Sequence, residues 1–282
     1  MKTSILMEGG GLRGIFTCGV IDVLMEHNIS FDGAAGISAG ACFGCNLKSR
    51  QVGRGLRYNL NYINDDRYMS VKSLLTTGDY FNADFAYNVL PNKLDPFDYE
   101  AFAANPMELY VGATDIDSGR IVYHLCKDGH GTDMVWLRAG ASLPYISRPV
   151  KINGRRYLDG GLVEPVPIKF MEKRGYDRNL VVLTQPRGYV KEPSSNSLLL
   201  KATSLGNPVI YNAMTKRHLR YNRTIAYCME KEAEGSALVL CPPDILPAGR
   251  LERDINKLQA TYDTGREVAL KNLQRIREFL AQ

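Results

Sequence analysis

Two short stretches of this 282-residue chain hold residues whose types and surroundings could do covalent chemistry: Gly36-Ile37-Ser38-Ala39-Gly40, and Asp159 followed by Gly160 and Gly161. A serine hydroxyl acts as a nucleophile when a neighbouring group takes its proton and donors stabilise the oxyanion that its attack creates. The run Gly9-Gly10-Gly11-Leu12-Arg13-Gly14 could meet the second need. Glycines at a strand-to-helix turn let successive N–H groups point into one space, where negative charge is favoured. The same six residues match the dinucleotide fingerprint through Gly9, Gly11 and Gly14. A dinucleotide- or phosphate-binding protein with no serine chemistry is therefore the alternative reading. It asks for an acidic residue closing a second strand, and Asp32 lies near the right distance, but little strand precedes it.

The proton acceptor is the open question. Four histidines are present, His27, His124, His130 and His218. In the chain order Ser, acid, His, only His218 follows Asp159, and its setting, Thr215-Lys216-Arg217-His218-Leu219-Arg220, is a basic helical stretch that opposes its protonation. His124 sits inside an apparent strand, His130 in a glycine-rich turn and His27 at the end of a helix, each without an evident partner. A three-member Ser-His-Asp arrangement fits this set poorly. The remaining candidate is Asp159, although Asp-Gly by itself is a turn signal.

The elements that would have to position these residues follow from the apolar pattern. Residues 4–8 read as a strand, 14–28 as a buried helix, 31–37 as a second strand, and the small residues after Ser38 as a helix packed close to a sheet. Further strands are expected at 108–116, 120–125, 156–161, 179–185 and 237–243, with helices between several of them. That alternation predicts an α/β fold with a largely parallel, covered sheet. Segments 65–105 and 186–210 read as loops with short helices, and about 250–282 as a terminal helix or helix pair. One domain over 1–282 is expected.

In this order, and with Ala139–Val150 preceding the third, the three motifs resemble the patatin-like phospholipase family, in particular its bacterial members, over about residues 5–185. The resemblance implies a three-layer α/β/α fold and a Ser-Asp dyad acting as a lipid acyl hydrolase. Carried over, Ser38 is the nucleophile and Asp159 its general base. Gly9, Gly10, Gly11, Arg13 and Gly14, with the N–H of Ala39, supply the oxyanion hole, Gly36 and Gly40 flank the elbow, and Gly160 and Gly161 complete the third motif. The implied substrate is a lipid acyl ester, and neither metal nor organic cofactor is implied.

Composition agrees with a globular protein: 45% apolar, 23% charged, net charge +5, too mild an excess for a nucleic-acid partner. Nothing at the amino terminus reads as an export signal and no run reaches membrane-spanning length, so a cytoplasmic protein with at most peripheral membrane contact is expected. The six cysteines read as reduced core thiols, the Cys42–Cys45 pair included. Lys216, Arg217, Arg220 and Arg223, interleaved with Tyr211, Tyr221 and Tyr227, could face anionic head groups or form a solvated helix face.

Overall fold

In the computed structural model, which describes residues 1–194, 200–201, 204 and 206–281, the first apolar run forms strand β1 (Lys2–Met7). The glycines after it bend through a 3-10 turn (Gly11–Gly14) into helix α1 (Ile15–Glu26). The unit repeats as β2 (Gly33–Ile37) and α2 (Ala39–Lys48), joined by Ser38 alone. Short helices follow: α3 (Arg54–Tyr62), α4 (Val71–Thr77), a π-helical stretch (Phe85–Leu94) and α5 (Tyr99–Ala104). Then come β3 (Glu108–Asp115), β4 (Arg120–Cys126), α6 (Thr132–Ala141), β5 (Val150–Ile152), β6 (Arg155–Asp159), α7 (Ile168–Lys173) and β7 (Tyr176–Val182). The expected loop 186–210 falls partly outside the described residues, at 195–199, 202, 203 and 205. Beyond it lie α8 (Pro208–Thr215), α9 (Arg217–Ala233), β8 (Ala237–Leu240), α10 (Ile255–Lys271) and α11 (Leu273–Ala281).

The strands form one sheet in the order β5-β6-β3-β2-β1-β7-β8, with β4 also on β3. β1, β2, β3, β7 and β8 run parallel, as the helical crossovers between them require. β4 and β6 are antiparallel to β3, and β5 to β6. The β3–β4 return is a tight turn in which Asp115 Oδ1 accepts the N–H groups of Asp117 and Ser118, and Gly119 takes φ +67°.

Side chains alternate across the sheet with the two-residue period of strands. Ile5 and Met7 face one side with Ala34, Leu109, Val111, Leu180 and Val182, under α1, α2, α10 and α11. Leu6 faces the other with Ala35, Tyr110, Val181 and Val239, under α7 and α9. Three layers result. The carboxy-terminal helix α10 lies in backbone contact with α1: a Cβ on Gly19 would come 2.2 Å from the Tyr262 carbonyl oxygen.

One register decides the geometry of the site. Ile37, ending β2, pairs with Gly112 of β3, and Asp159, ending β6, pairs with the next residue, Ala113. Because β4 occupies the opposite edge of β3 at these positions, β2 and β6 share one edge, end to end and from opposite directions. The residue after β2 and the last residue of β6 therefore meet at one level.

Candidate active site

Ser38 occupies that junction with φ 55° and ψ −127°, a backbone conformation costly for any residue bearing a Cβ, by about 1–3 kcal/mol. The sharp turn presents its side chain beyond the strand instead of into either face of the sheet. It persists because both flanking glycines allow close approach. A Cβ on Gly36 would stand 2.5 Å from Ala41 Cα, and one on Gly40 would stand 2.3 Å from the Met7 carbonyl oxygen. The Ala41 and Cys42 N–H groups donate to the Ser38 carbonyl at 3.0 and 3.2 Å. Ala39 and Gly40, the leading residues of α2, carry N–H groups without an intrahelical acceptor.

The glycine loop after β1 passes directly over the serine, since a Cβ on Gly9 would fall 2.8 Å from Ser38 Cβ. Gly10 and Gly11 lead the 3-10 turn, so their N–H groups likewise have no acceptor within it. The carboxy-terminal segment holds this loop: Leu12 N–H donates to the Arg250 carbonyl at 3.0 Å. Gly14 lies apart from the cavities at Ser38, packed against Phe43 and Ala39. Asp32 caps the opposite end of the sheet, where its Oδ2 accepts Thr3 N–H at 2.7 Å. Five residues of β1 and its extension, roughly 16 Å of strand, separate that level from the glycine loop. The acidic residue that the dinucleotide reading needs is thus out of reach of the loop.

Asp159 is buried at 2% exposure. Its Oδ1 accepts the Gly161 N–H at 2.7 Å, whereas Oδ2 is buried without a hydrogen bond of full geometry. Burial pushes its pKa above the ordinary carboxylate value. The Ser38 hydroxyl, the Arg217 charge, the Gly161 N–H and the Arg250 charge oppose that rise, in decreasing order. Arg217 also donates from Nε to the Gly161 carbonyl at 2.7 Å, bracing the loop that carries the aspartate. The turn that Asp-Gly signals is present, as a 3-10 turn over Gly160–Leu162, and the same aspartate caps it.

No histidine lines the cavities at Ser38 among the described residues. His124 does have the carboxylate partner that the sequence left unidentified: its Nε2 lies 2.6 Å from Asp133 Oδ1, and the ring stacks on Trp136. With Cys126 these residues bring potential metal-ligand atoms within 4.8 Å of one another. Asp133 Oδ2, however, accepts the N–H groups of Lys127, Asp128 and Gly129 at 2.7–3.0 Å, so both carboxylate oxygens are engaged by the protein. Burial pushes the Cys42 and Cys45 thiols up to about 12 and 11, which keeps both neutral.

Two cavities meet at Ser38 and Gly11. The larger, of about 150 Å³, is lined by Leu12, Ala39, Phe43, Tyr58, Tyr68, Phe81 and Leu90, among others. The smaller, of about 30 Å³, holds Asp159 with Gly9, Gly10 and four cations, Arg13, Lys191, Arg217 and Arg250. Sequence reasoning singled out Arg13 but missed Lys191 and Arg250. It placed Arg217 in a basic run facing membrane or solvent as one group, and the structure divides that run. Lys216 and Arg223 are exposed, Arg220 donates to the Ala213 carbonyl, and Arg217 points into the site. Tyr221 is buried and lines the smaller cavity. Helical periodicity does distinguish Arg217 and Tyr221, four residues apart, from Lys216 and Arg223, so this signal was present.

Fold and site together define an α/β protein with a strained serine at a strand-to-helix elbow, a buried carboxylate level with it, and a glycine loop above both. The patatin-like phospholipase family model matches residues 5–171, and the chain belongs to that family. A second model, a domain of unknown function (DUF6363), matches residues 207–281. An uncharacterised protein of Escherichia coli K12, YjjU, is 28% identical over 66% of this chain and 52% of its own length. Lysophospholipase nte1 of Aspergillus terreus is 25% identical over 98% of this chain and 18% of its own length. The chain thus spans about half of the first relative and less than a fifth of the second. The crystal structure of VipD from Legionella pneumophila aligns over 95% of this chain and 66% of its own, at 12% identity and a TM-score of 0.43. Among the described residues no helix is long and apolar enough to cross a membrane.

Proposed function

We propose that the protein is a serine lipid acyl hydrolase in which Ser38 is the nucleophile and Asp159 its general base. The observation that carries this reading is the buried Asp159 carboxylate at the level of the Ser38 elbow, which the Ser38 hydroxyl stabilises and whose Oδ2 the rest of the protein leaves unbonded, beside an apolar cavity. Membership of a phospholipase family and similarity to a lysophospholipase support the substrate class. In the first half-reaction Ser38 Oγ attacks the acyl carbonyl and its proton passes to Asp159. The oxyanion is met by the N–H groups of Gly10, Gly11 and Ala39, each donor of this kind contributing about 2.7–4 kcal/mol. Collapse breaks the ester bond, and the departing alkoxide takes the proton from Asp159. Water then attacks the acyl-enzyme with Asp159 again as base, releasing the fatty acid and restoring the Ser38 hydroxyl.

Raised pKa suits this base, because a carboxylate with more proton affinity takes the serine proton more readily, provided that it is still ionised at working pH. The apolar cavity seats the acyl chain, at about 0.8 kcal/mol for each methylene buried. Residues 1–282 act as one unit in this proposal, because β8 extends the sheet and Arg250 holds the glycine loop. The expected location is cytoplasmic, with Lys216 and Arg223 the basic-run residues left to meet an anionic membrane surface. Fluorophosphonate labelling followed by peptide mapping tests the reading: the label should fall on Ser38 and vanish in Ser38→Ala together with ester hydrolysis. A label on another residue, or full hydrolysis by Ser38→Ala, would remove it.

A further inference from the structure

The smaller cavity at Ser38 carries more positive charge than the proposed chemistry uses. Arg13, Lys191, Arg217 and Arg250 line it, against two carboxylates, Glu8 and Asp159. Glu8 is turned inward, its Oε2 accepting the N–H and hydroxyl of Thr184 at 2.6 and 3.0 Å. None of the four cations enters a salt bridge among the described residues, although fourteen such bridges occur elsewhere. Arg13 Nε is buried with no hydrogen-bond partner. Arg217 uses one N–H on the Gly161 carbonyl and keeps the rest of its fork. Lys191 lies over the Tyr221 ring at 4.5 Å, and its backbone is clamped to the Asn222 side chain at 2.8 and 3.0 Å.

Burial, and after it the repulsion of the neighbouring cations, makes Lys191 and Arg250 more acidic than their ordinary values. Burial, then Arg217, Arg250 and Arg13, lowers Lys191 to about 8, and burial, then Arg217 and Arg13, lowers Arg250. Unpaired cations held this close raise one another's energy until an anion joins them. A guanidinium fork and an ammonium are the donors that recognise phosphate oxygens. At about 30 Å³ the space suits a compact anion rather than a bulky polar group.

We infer that Arg13, Lys191, Arg217 and Arg250 seat the phosphate of the substrate's head group and are the residues that select for it. The inference rests on the acyl hydrolase reading and adds the substrate's polar half. With the ester at Ser38, which both cavities share, the acyl chain enters the 150 Å³ apolar space and the alcohol side projects towards the cations. Arg13 lies within the residues that the phospholipase family model matches, whereas Lys191, Arg217 and Arg250 lie beyond them, so three of the four cations come from the carboxy-terminal part of the chain.

The test compares 1-octanoyl-lysophosphatidate with 1-octanoylglycerol, which differ only in the phosphate. Wild-type kcat/KM should favour the phosphate-bearing ester by about tenfold or more, the factor that corresponds to one charge-assisted hydrogen bond. That ratio should fall towards one in Lys191→Gln and in Arg250→Gln. Inorganic phosphate should compete with the lysophosphatidate on the wild-type enzyme, a measurement that needs no variant to fold. A wild-type ratio at or below one, or a ratio that neither folded variant changes, overturns the inference while leaving ester hydrolysis intact. Phosphate inhibition with a ratio near one would assign the cavity to free phosphate and overturn it equally. If neither ester is cleaved and Ser38 takes no fluorophosphonate, the hydrolase reading fails first and this inference fails with it.

Discussion

Asp159→Asn separates the two roles that the structure gives this residue. The swap is nearly isosteric, and the amide oxygen can keep the 2.7 Å hydrogen bond from Gly161 N–H. What disappears is a negative charge at a position only 2% exposed. Loss of the proton acceptor should lower kcat by about 10²- to 10⁴-fold, or about 2.7–5.4 kcal/mol at 1.36 kcal/mol per decade. Stability should move the other way. Because burial raises the folded-state pKa above the unfolded value, the group's stabilising contribution is full below the unfolded pKa and is lost as pH rises through the folded one. At neutral pH the ionised carboxylate therefore opposes folding, and the amide removes that opposition. The variant should melt higher, by about 2–4 °C for each kcal/mol recovered in a chain of this size. The wild-type kcat/KM profile should fall on the acid side at a pH above the ordinary carboxylate range, and the variant should lack that limb. The assay is a short-chain ester across pH with a parallel melting curve. Deamidation of the new Asn-Gly pair would regenerate wild type, so intact mass is read on each sample. A variant that keeps kcat within tenfold of wild type, or that melts below it, would refute the assignment of Asp159 as a buried base.

The elbow makes its own prediction: Ser38→Gly should be more stable than Ser38→Ala by about 1 kcal/mol or more, because glycine relieves the strain at φ 55° that alanine retains. Equal urea midpoints for the two inactive variants would deny the strain. Gly40→Ala places a methyl 2.3 Å from the Met7 carbonyl oxygen and should cost at least about 1–3 kcal/mol, with activity lost alongside; near-normal melting and turnover would show that α2 can shift away. Asp22, between α1 and α10, accepts from Tyr262 Oη and Gly53 N–H, and burial raises its pKa from 3.8 to about 6. Its contribution to stability is full below about pH 4 and is lost as pH rises through about 6. Asp22→Asn should flatten the stability profile across that window, and an unchanged profile would assign the pH dependence elsewhere.

Much of the scaffold was legible because it is local. The runs before Gly9 and before Ser38 are short, apolar and closed by glycine, and each leads into small or apolar residues at helical length. Strand, turn and helix follow from such a pattern whatever lies across the sheet. Strand β5 was overlooked although Asn153-Gly154 signals a two-residue hairpin, and both residues indeed take positive φ, 48° and 81°. The antiparallel edge came with it. Asp159 is a different case, since Asp-Gly reads as a turn from sequence and is one; only pairing with Ala113, one step beyond the Gly112 that meets Ile37, brings it level with Ser38. No spacing of 121 residues encodes that register. Lys191, Arg217 and Arg250 reach the same cavity from segments that sequence separates by 26 and 33 residues, because α9 covers one face of the sheet and the Arg250 carbonyl holds the glycine loop. Periodicity and turn chemistry act over a few residues and settle the elements. Which charges are left facing one another without partners depends on how distant segments pack, so the electrostatics of the site were decided by tertiary structure.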